Sequence, residues 1–366
     1  MNLRDKFQLN KKIVYLNHAF TGVLPRNAIK KMNDVIKDFA EWGYPGKEYQ
    51  DRILIKARER IANLINGEVE NIAFTLNTSH AIYIALKNIP LNKGDCVIVM
   101  SECFPAAKYI ADYNIPDIEV KYISFSRKDP VKVVKNVINR KLRVVILDHI
   151  QYFTGERIPI SALSNFLKER GIYLIVDGIQ AVGSINVDIK KEGIDILACG
   201  GSKWLNGPQG TGFLYISDEA FINLNKTHTG WLGAPWQNYL NFDRLPEPFD
   251  DARRFELGTR NIIGIAGLSE SIKLLLEYGT VKIEKKIKNL NSLLLEGLKE
   301  KKFEILTPED RIAGIVTGRH ESKSSFDVFN KLKENNIIIS LRNDALRFSP
   351  HFYNTSKEIE KVLNMI

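Results

Sequence analysis

Several short apolar runs in this chain stop at residues that can do chemistry. NIAFTL ends at Asn77, Thr78 and Ser79, which open a helix-forming stretch. Hydroxyls and free amides at a helix N-terminus suit a phosphate, and the same residues can also be a simple helix cap. DCVIVM is followed by Phe104, an aromatic that could stack on a planar ligand or sit in the core. LRVVIL ends in the polar cluster Asp148-His149-Ile150-Gln151, in which His149 by itself reads as a structural histidine. IYLIV ends at Asp177, followed by Gln180. A carboxylate there is costly to bury unless it caps the next helix or meets a cation. IDILACG runs into Ser202 and Lys203, inside the glycine-rich loop GGSKWLNGPQGTG at 200–212. A lysine in a tight, partly desolvated turn has a lowered pKa and can serve as a nucleophile.

Each of these features is weak alone, but together they describe one bound molecule. It has a phosphate for a helix N-terminus and a flat ring for an aromatic. It also has a ring cation for a carboxylate and a carbonyl that reacts with an amine. Pyridoxal phosphate (PLP) has all four.

The elements that must position these residues follow from the same pattern. Short runs rich in Val, Ile and Leu alternate with helix-forming stretches over the first two thirds of the chain. This predicts an α/β fold with a mostly parallel sheet covered on both faces and ligands outside the carboxyl ends of its strands. TGFLYIS follows the glycine loop closely, so it is expected to run antiparallel to the strand before it. Beyond Gly258 the texture changes. IIGIAGLSESIKLLLEYG continues into the charged helical stretch VKIEKKIKNLNSLLLEGLKEK, then into shorter strands and helices. The expected division is an N-terminal segment (1–14), a large α/β unit (15–258) and a linking helix with a small α+β unit (259–366).

The 366 residues include 44 % hydrophobic and 26 % charged, the balance of a folded globular chain. A net charge of +9 could point to nucleic acid, but the lysines are scattered. No arginine-rich tail, zinc-ligand spacing or aromatic RNA-binding signature accompanies them, so that class is set aside. The start MNLRDKFQLNKK has no apolar signal core and no run approaches a membrane span, so a cytoplasmic protein is expected. Cys96, Cys103 and Cys199 show no paired spacing, which argues against a disulfide framework or a cysteine-held metal.

With these residues in view, the chain resembles the class V aminotransferase family of fold-type I PLP enzymes, which includes cysteine desulfurases, kynureninases and isopenicillin N epimerase-like proteins. The motifs are YLNHAFTGVLP, NTSHA, SECFPAAKY, IVDGIQAVGSINVDI, GGSKWLNGPQGTGFLY, FELGTRN and LRFSPHFYN, between residues 15 and 354. Lys203 lies 26 residues beyond Asp177, a separation typical of that family. The resemblance implies a mostly parallel seven-stranded sheet flanked by helices, with a smaller α+β C-terminal domain. It implies that Lys203 holds PLP as a Schiff base and shuttles the Cα proton. Asp177 would pair with the ring nitrogen, Gln180 with the ring hydroxyl, and Thr78, Ser79 and Ser202 with the phosphate. Phe104 would take the ring-stacking position. Thr259 would reach the phosphate of a neighbouring subunit, which carries a homodimer with shared active sites. Arg347 would bind the substrate carboxylate, with Arg342 a weaker candidate, and Trp231 would lie near the substrate or serve in packing.

The chain also departs from the pattern. Cysteine desulfurases need a mobile cysteine late in the chain, and none follows Cys199 here. Ser202 stands where many desulfurases have histidine and kynureninases have tyrosine. The expected function is therefore a PLP-dependent enzyme on a small amino acid, with transamination first. A C–S lyase, or an epimerase- or kynureninase-like reaction, is the alternative, and a persulfide-forming desulfurase is disfavoured. The pocket residues that would decide the reaction are expected among His18, Phe20, His149, Trp231 and His351.

Overall fold

The structure, a computed structural model, describes residues 3–236 and 244–366. Its first strand, β1 (Val14–Tyr15), precedes two long helices, Arg26–Trp42 and Lys47–Ile65. A central sheet follows, built from β2 (Ile72–Thr75), β3 (Cys96–Met100), β4 (Glu119–Ile123), β5 (Leu142–Asp148), β6 (Tyr173–Asp177), β7 (Ile196–Gly200) and β8 (Gly212–Ile216). The spatial order is β2-β8-β7-β6-β5-β3-β4. Neighbours from β4 to β7 pair in parallel, while β8 is antiparallel to both β7 and β2. The eleven-residue return between β7 and β8 has no room for a crossover helix, so β8 must reverse. Strands β3, β6, β7 and β8 are almost wholly buried, as expected for a sheet covered on both faces, and only the edge strand β4 is largely solvated.

A second sheet holds β9 (Phe303–Ile305), β10 (Val316–His320), and, after β11 (Ile337–Ile338), β12 (Ser340–Arg342) and β13 (Ala345–Phe348). The run IIIS is split between two partners. Ile337 and Ile338 pair in parallel with Val14 and Tyr15, whereas Ser340 begins the pairing with β13. Val14 and Leu16 consequently lie in the second hydrophobic core, with Leu346 and Phe348.

The helical stretch after residue 261 is two helices and not one. Ile262–Tyr278 ends at Gly279, whose φ of +94° caps it, and Thr280–Glu300 starts there. Only glycine takes that backbone conformation without strain. The first of these helices packs against Arg26–Trp42 and Lys47–Ile65. The second carries an apolar stripe at helical spacing. Ile283 and Ile287 enter the main core, and Leu290, Leu294 and Leu298 enter the smaller one. This one helix thereby ties the central sheet to the second sheet, which brings β13 to the carboxyl ends of β5–β7.

Candidate active site

Lys203 sits in the return from β7 to β8. The loop closes on itself: the Gly201 amide donates to Thr211 O at 2.7 Å and the Gly207 amide to Gly201 O at 2.8 Å. Residues 21–23 strap it from outside, with Gly22 N–H donating to Ser202 O at 2.7 Å and Val23 N–H to Asn206 Oδ1 at 3.2 Å. A Cβ on Gly22 would stand 2.1 Å from the Lys203 carbonyl oxygen, so this strap fits only with glycine. Ser202 is half-buried and its carbonyl is used by the strap. Burial pulls the Lys203 ammonium down to about 8 against the pull of Asp177, and Arg347 depresses it further. A sizeable neutral fraction therefore exists near neutral pH, as a nucleophilic amine requires.

The helix Thr78–Asn88 begins where β2 ends, with Asn77 as its cap, accepting from His80 N–H. The amides of Thr78 and Ser79 lie in the first turn, where no intrahelical partner exists. Thr78 Oγ1 is buried and has no hydrogen-bond partner. A Cβ on Gly200 would approach that hydroxyl to 3.1 Å, so the end of β7 passes close beside it. A buried hydroxyl left unpaired at a helix N-terminus is a place for an anion.

Asp177 ends β6 with a carboxyl that is 5 % exposed and accepts Ile179 N–H at 2.9 Å. Burial pushes it up to about 6. Asp148 is its neighbour on β5 at the same register position, and it accepts Phe104 N–H at 3.3 Å. Burial, followed by the Asp177 charge, pushes Asp148 well above the carboxylate range. A cation placed against this pair would relieve the cost of burying two acids. The Gln180 side chain is held from both ends: Trp204 Nε1–H donates to its Oε1 at 2.8 Å, and its Nε2 donates to Ala19 O at 3.0 Å.

In front of these groups is a cavity of about 390 Å³ lined by Lys203, Gln180 and the rings of Phe20, Phe104, Tyr152 and Phe153. Lys203 Nζ lies 5.6 Å from the centre of the Phe104 ring, and Tyr152 meets that ring edge-on at 5.4 Å. Phe104, which sequence alone left between core and ligand contact, is exposed at the cavity wall. Arg347 and Arg342 complete the lining from the second sheet. Arg347 is 2 % exposed, donates to Tyr152 O at 2.7 Å, and has a buried Nε–H without a partner. Burial and then Arg342 pull it down to about 10, still a cation at neutral pH. No carboxylate of the described residues pairs with it, so a buried cation is held ready for an anion.

Not every expected residue reaches this cavity. Thr259 lines a separate depression with Leu76, His80 and Asn261. Trp231 is half-exposed beside Gly258, in the same neighbourhood, and does not line the Lys203 cavity. Of the five expected pocket residues only Phe20 lines the cavity. His18, His149 and His351 are corrected to buried structural positions. Burial keeps all three imidazoles neutral, and His18 and His351 pair with other groups. His18 Nδ1 meets Ser349 O and its Nε2 meets Tyr353 OH, while His351 Nε2 meets Trp204 O. Sequence reasoning did not assign Asp148, Tyr152, Phe153 or Trp204. The strand-end position of Asp148 was the one available signal.

Comparison with known proteins bears on the fold and the family. A probable cysteine desulfurase of Pyrococcus abyssi is 27 % identical over all of this chain and 96 % of its own length. An uncharacterized aminotransferase of Bacillus subtilis is 27 % identical over 85 % of this chain and 82 % of its own length. Among solved structures, a C-DES mutant with glycine covalently linked to its PLP cofactor superposes with a TM-score of 0.92 at 23 % identity, covering 99 % of this chain and 98 % of that one. The cystine C–S lyase C-DES, in complex with its product cysteine persulfide, gives 0.90 at 23 % identity over 97 % of both chains. These likenesses establish the shared fold, and the family profile for class V aminotransferases matches residues 14–362. The chain belongs to the class V aminotransferase family.

Proposed function

We propose that the protein is a PLP-dependent enzyme that acts on a small amino acid through Lys203, with transamination as its reaction. The observation that carries this is the meeting, in one cavity, of a pKa-depressed lysine amine with a buried arginine that has no carboxylate partner among the described residues, beside a buried carboxyl pair. When bound, PLP supplies an aldehyde that condenses with amines and a ring that withdraws electrons from Cα.

The chain's own residues do the rest. Thr78 Oγ1 and the first amides of its helix bind the phosphate, assisted by Ser79 and Ser202. Asp177 would pair with a protonated ring nitrogen, a cation that would offset the cost of burying its charge. Phe104, at the cavity wall beside Lys203, would offer its face to the cofactor ring and exclude water there. Gln180 donates a hydrogen bond to the ring hydroxyl oxygen. Arg347 orients the substrate carboxylate by a charge-assisted pair. Lys203 would be the amine that anchors the cofactor and, when free, the base placed to take and return the substrate's Cα proton. Thr259, outside the cavity within one chain, acts on the site of a second copy in a homodimer.

The lining also bears on the choice of reaction. Among the described residues there, Lys203 is the only amine, and no imidazole, carboxylate or thiol accompanies it. Tyr152 contributes the one phenol. Racemisation needs acid–base groups on two faces of Cα, whereas transamination and elimination need one. With Lys203 and the Tyr152 phenol the two such groups in the described lining, an epimerase would need them on opposite faces of Cα, whereas transamination needs Lys203 alone. A C–S lyase is the second reading, because an elimination needs no enzyme thiol and the cystine lyase shares this fold.

A screen of amino acids that monitors pyridoxamine phosphate, pyruvate, sulfide and D-enantiomer together tests the proposal. Pyridoxamine phosphate with a keto acid supports transamination, and pyruvate with sulfide moves the assignment to the lyase. If Lys203→Ala still gives a borohydride-trapped cofactor, Lys203 is not the attachment point.

A further inference from the structure

Glutamine has two chemically opposite ends, so its use in a site depends on which end faces the ligand. For Gln180 the two neighbours decide. Trp204 Nε1–H can only donate, and the Ala19 carbonyl can only accept. Gln180 Oε1 must therefore face Trp204, at 2.8 Å, and Nε2 must face Ala19, at 3.0 Å. Ala19 lines the cavity, whereas Trp204 is fully buried behind it. The nitrogen end is thus the cavity end, and Nε2 keeps one N–H beyond the one given to Ala19.

Trp204 is itself held rigidly. A Cβ on Gly314 would stand 2.7 Å from its ring, so that backbone passes hard against the indole. Its carbonyl meets His351 Nε2 at 2.9 Å, and His351 Nδ1 accepts Phe352 N–H at 2.8 Å, so the backbone beside Lys203 is tied to a buried imidazole. His351 lies four residues beyond Arg347 on the segment leaving β13. Trp204 also follows Lys203 directly, so the residue that fixes the amide moves with the reacting amine.

We propose that Trp204 is a positioning residue that locks the Gln180 amide so that an N–H, never the oxygen, faces the cavity beside Lys203. This rests on the reading above, in which Gln180 donates to the ring hydroxyl oxygen of the cofactor. A reversed amide would set an oxygen lone pair against that oxygen and raise its basicity, and with it the basicity of the linked lysine nitrogen.

The test is a pH titration of the visible absorbance of the holoenzyme, with cofactor affinity of the apoenzyme as a second readout. Trp204→Phe removes the N–H and keeps a large ring. Replacement of Trp204 by 3-benzothienylalanine keeps the full indole shape and covers the case in which the phenylalanine variant fails to fold. The expected result is a rise of about one pH unit, a tenfold change, in the spectral midpoint of either variant. The same rise is expected in Gln180→Ala, with no further shift in the Trp204→Phe/Gln180→Ala double variant. If Gln180→Ala shifts the midpoint and neither Trp204 variant does, Trp204 only packs and the proposal falls. If Gln180→Ala leaves the midpoint unchanged while Lys203→Ala abolishes the band, the reading of Gln180 has failed, and the proposal with it.

Discussion

Asp148 and Asp177 stand side by side at the ends of adjacent parallel strands, both buried and neither ion-paired with a basic side chain among the described residues. The cofactor-free protein therefore pays to ionise them. Asp177 is raised by burial from 3.8 to about 6. Between those values the folded state binds more protons than the unfolded one. Stability contributed by the protonated acid is thus present below about pH 4, declines as pH rises towards 6, and stays lost above it. Asp177→Asn is expected to make the apoenzyme more stable at pH 7.5, on the order of 2–3 kcal/mol, and to flatten this slope. Urea melts of both proteins at pH 4.5 and 7.5 measure it. Equal stabilities at pH 7.5 would mean that the folded protein hydrates the carboxyl.

The unpaired Thr78 hydroxyl separates binding from stability. A buried hydroxyl without a partner costs about 1–3 kcal/mol, so Thr78→Val should leave the apoenzyme as stable or more so. PLP affinity should fall by about 10- to 100-fold through loss of one charge-assisted hydrogen bond. Equilibrium dialysis and a melting curve on the same samples check both halves. A destabilised apoenzyme with unchanged PLP affinity would make Thr78 a structural cap.

Arg347 makes a similar pair of expectations. Arg347→Ala should raise KM for the amino acid by the equivalent of about 2–5 kcal/mol, since it leaves the substrate carboxylate without its partner. Arg347→Lys should rescue little, because an ammonium lacks the planar fork. Arg347→Met should fill the same space and melt no lower than the native apoenzyme, because the buried guanidinium it replaces has a polar atom with no partner. A steady-state KM unchanged in Arg347→Ala would move the carboxylate site, with Arg342 the next cation in the cavity.

The sequence made the strand ends legible because burial on both faces leaves continuous apolar runs, and the first polar residue after each run is conspicuous. Thr78, Asp177, Lys203 and the reversal of β8 were all readable on that ground. Lateral relationships were not. Asp148 faces Asp177 only through the order in which β5 and β6 pair, and Trp204 meets Gln180 only because the loops after β6 and β7 converge at the carboxyl end of the sheet. The histidines misled for a related reason. Spacing cannot tell a pocket imidazole from one whose nitrogens are taken up inside the fold, as at His18 and His351. The break at Gly279 was hidden because glycine interrupts an otherwise continuous helical pattern and only its φ reveals the cap.

The thiols give the sharpest test of the sulfur chemistry. Cys96, Cys103 and Cys199 are each no more than 3 % exposed, and burial raises the pKa of all three. A sulfur acceptor must be a thiolate that can reach the substrate, and an inaccessible protonated thiol is a poor nucleophile. Iodoacetamide at pH 8 should therefore label no cysteine in the folded protein and all three after denaturation. If the enzyme releases sulfur from cysteine or cystine, that sulfur should leave with the product, and a Cys103→Ala variant should retain the activity. Cys103 is the decisive position, because it alone adjoins Phe104 at the cavity wall. A mass increase of one sulfur atom on a Cys103 peptide after turnover, lost with activity in Cys103→Ala, would reverse the assignment and make the protein a persulfide-forming desulfurase.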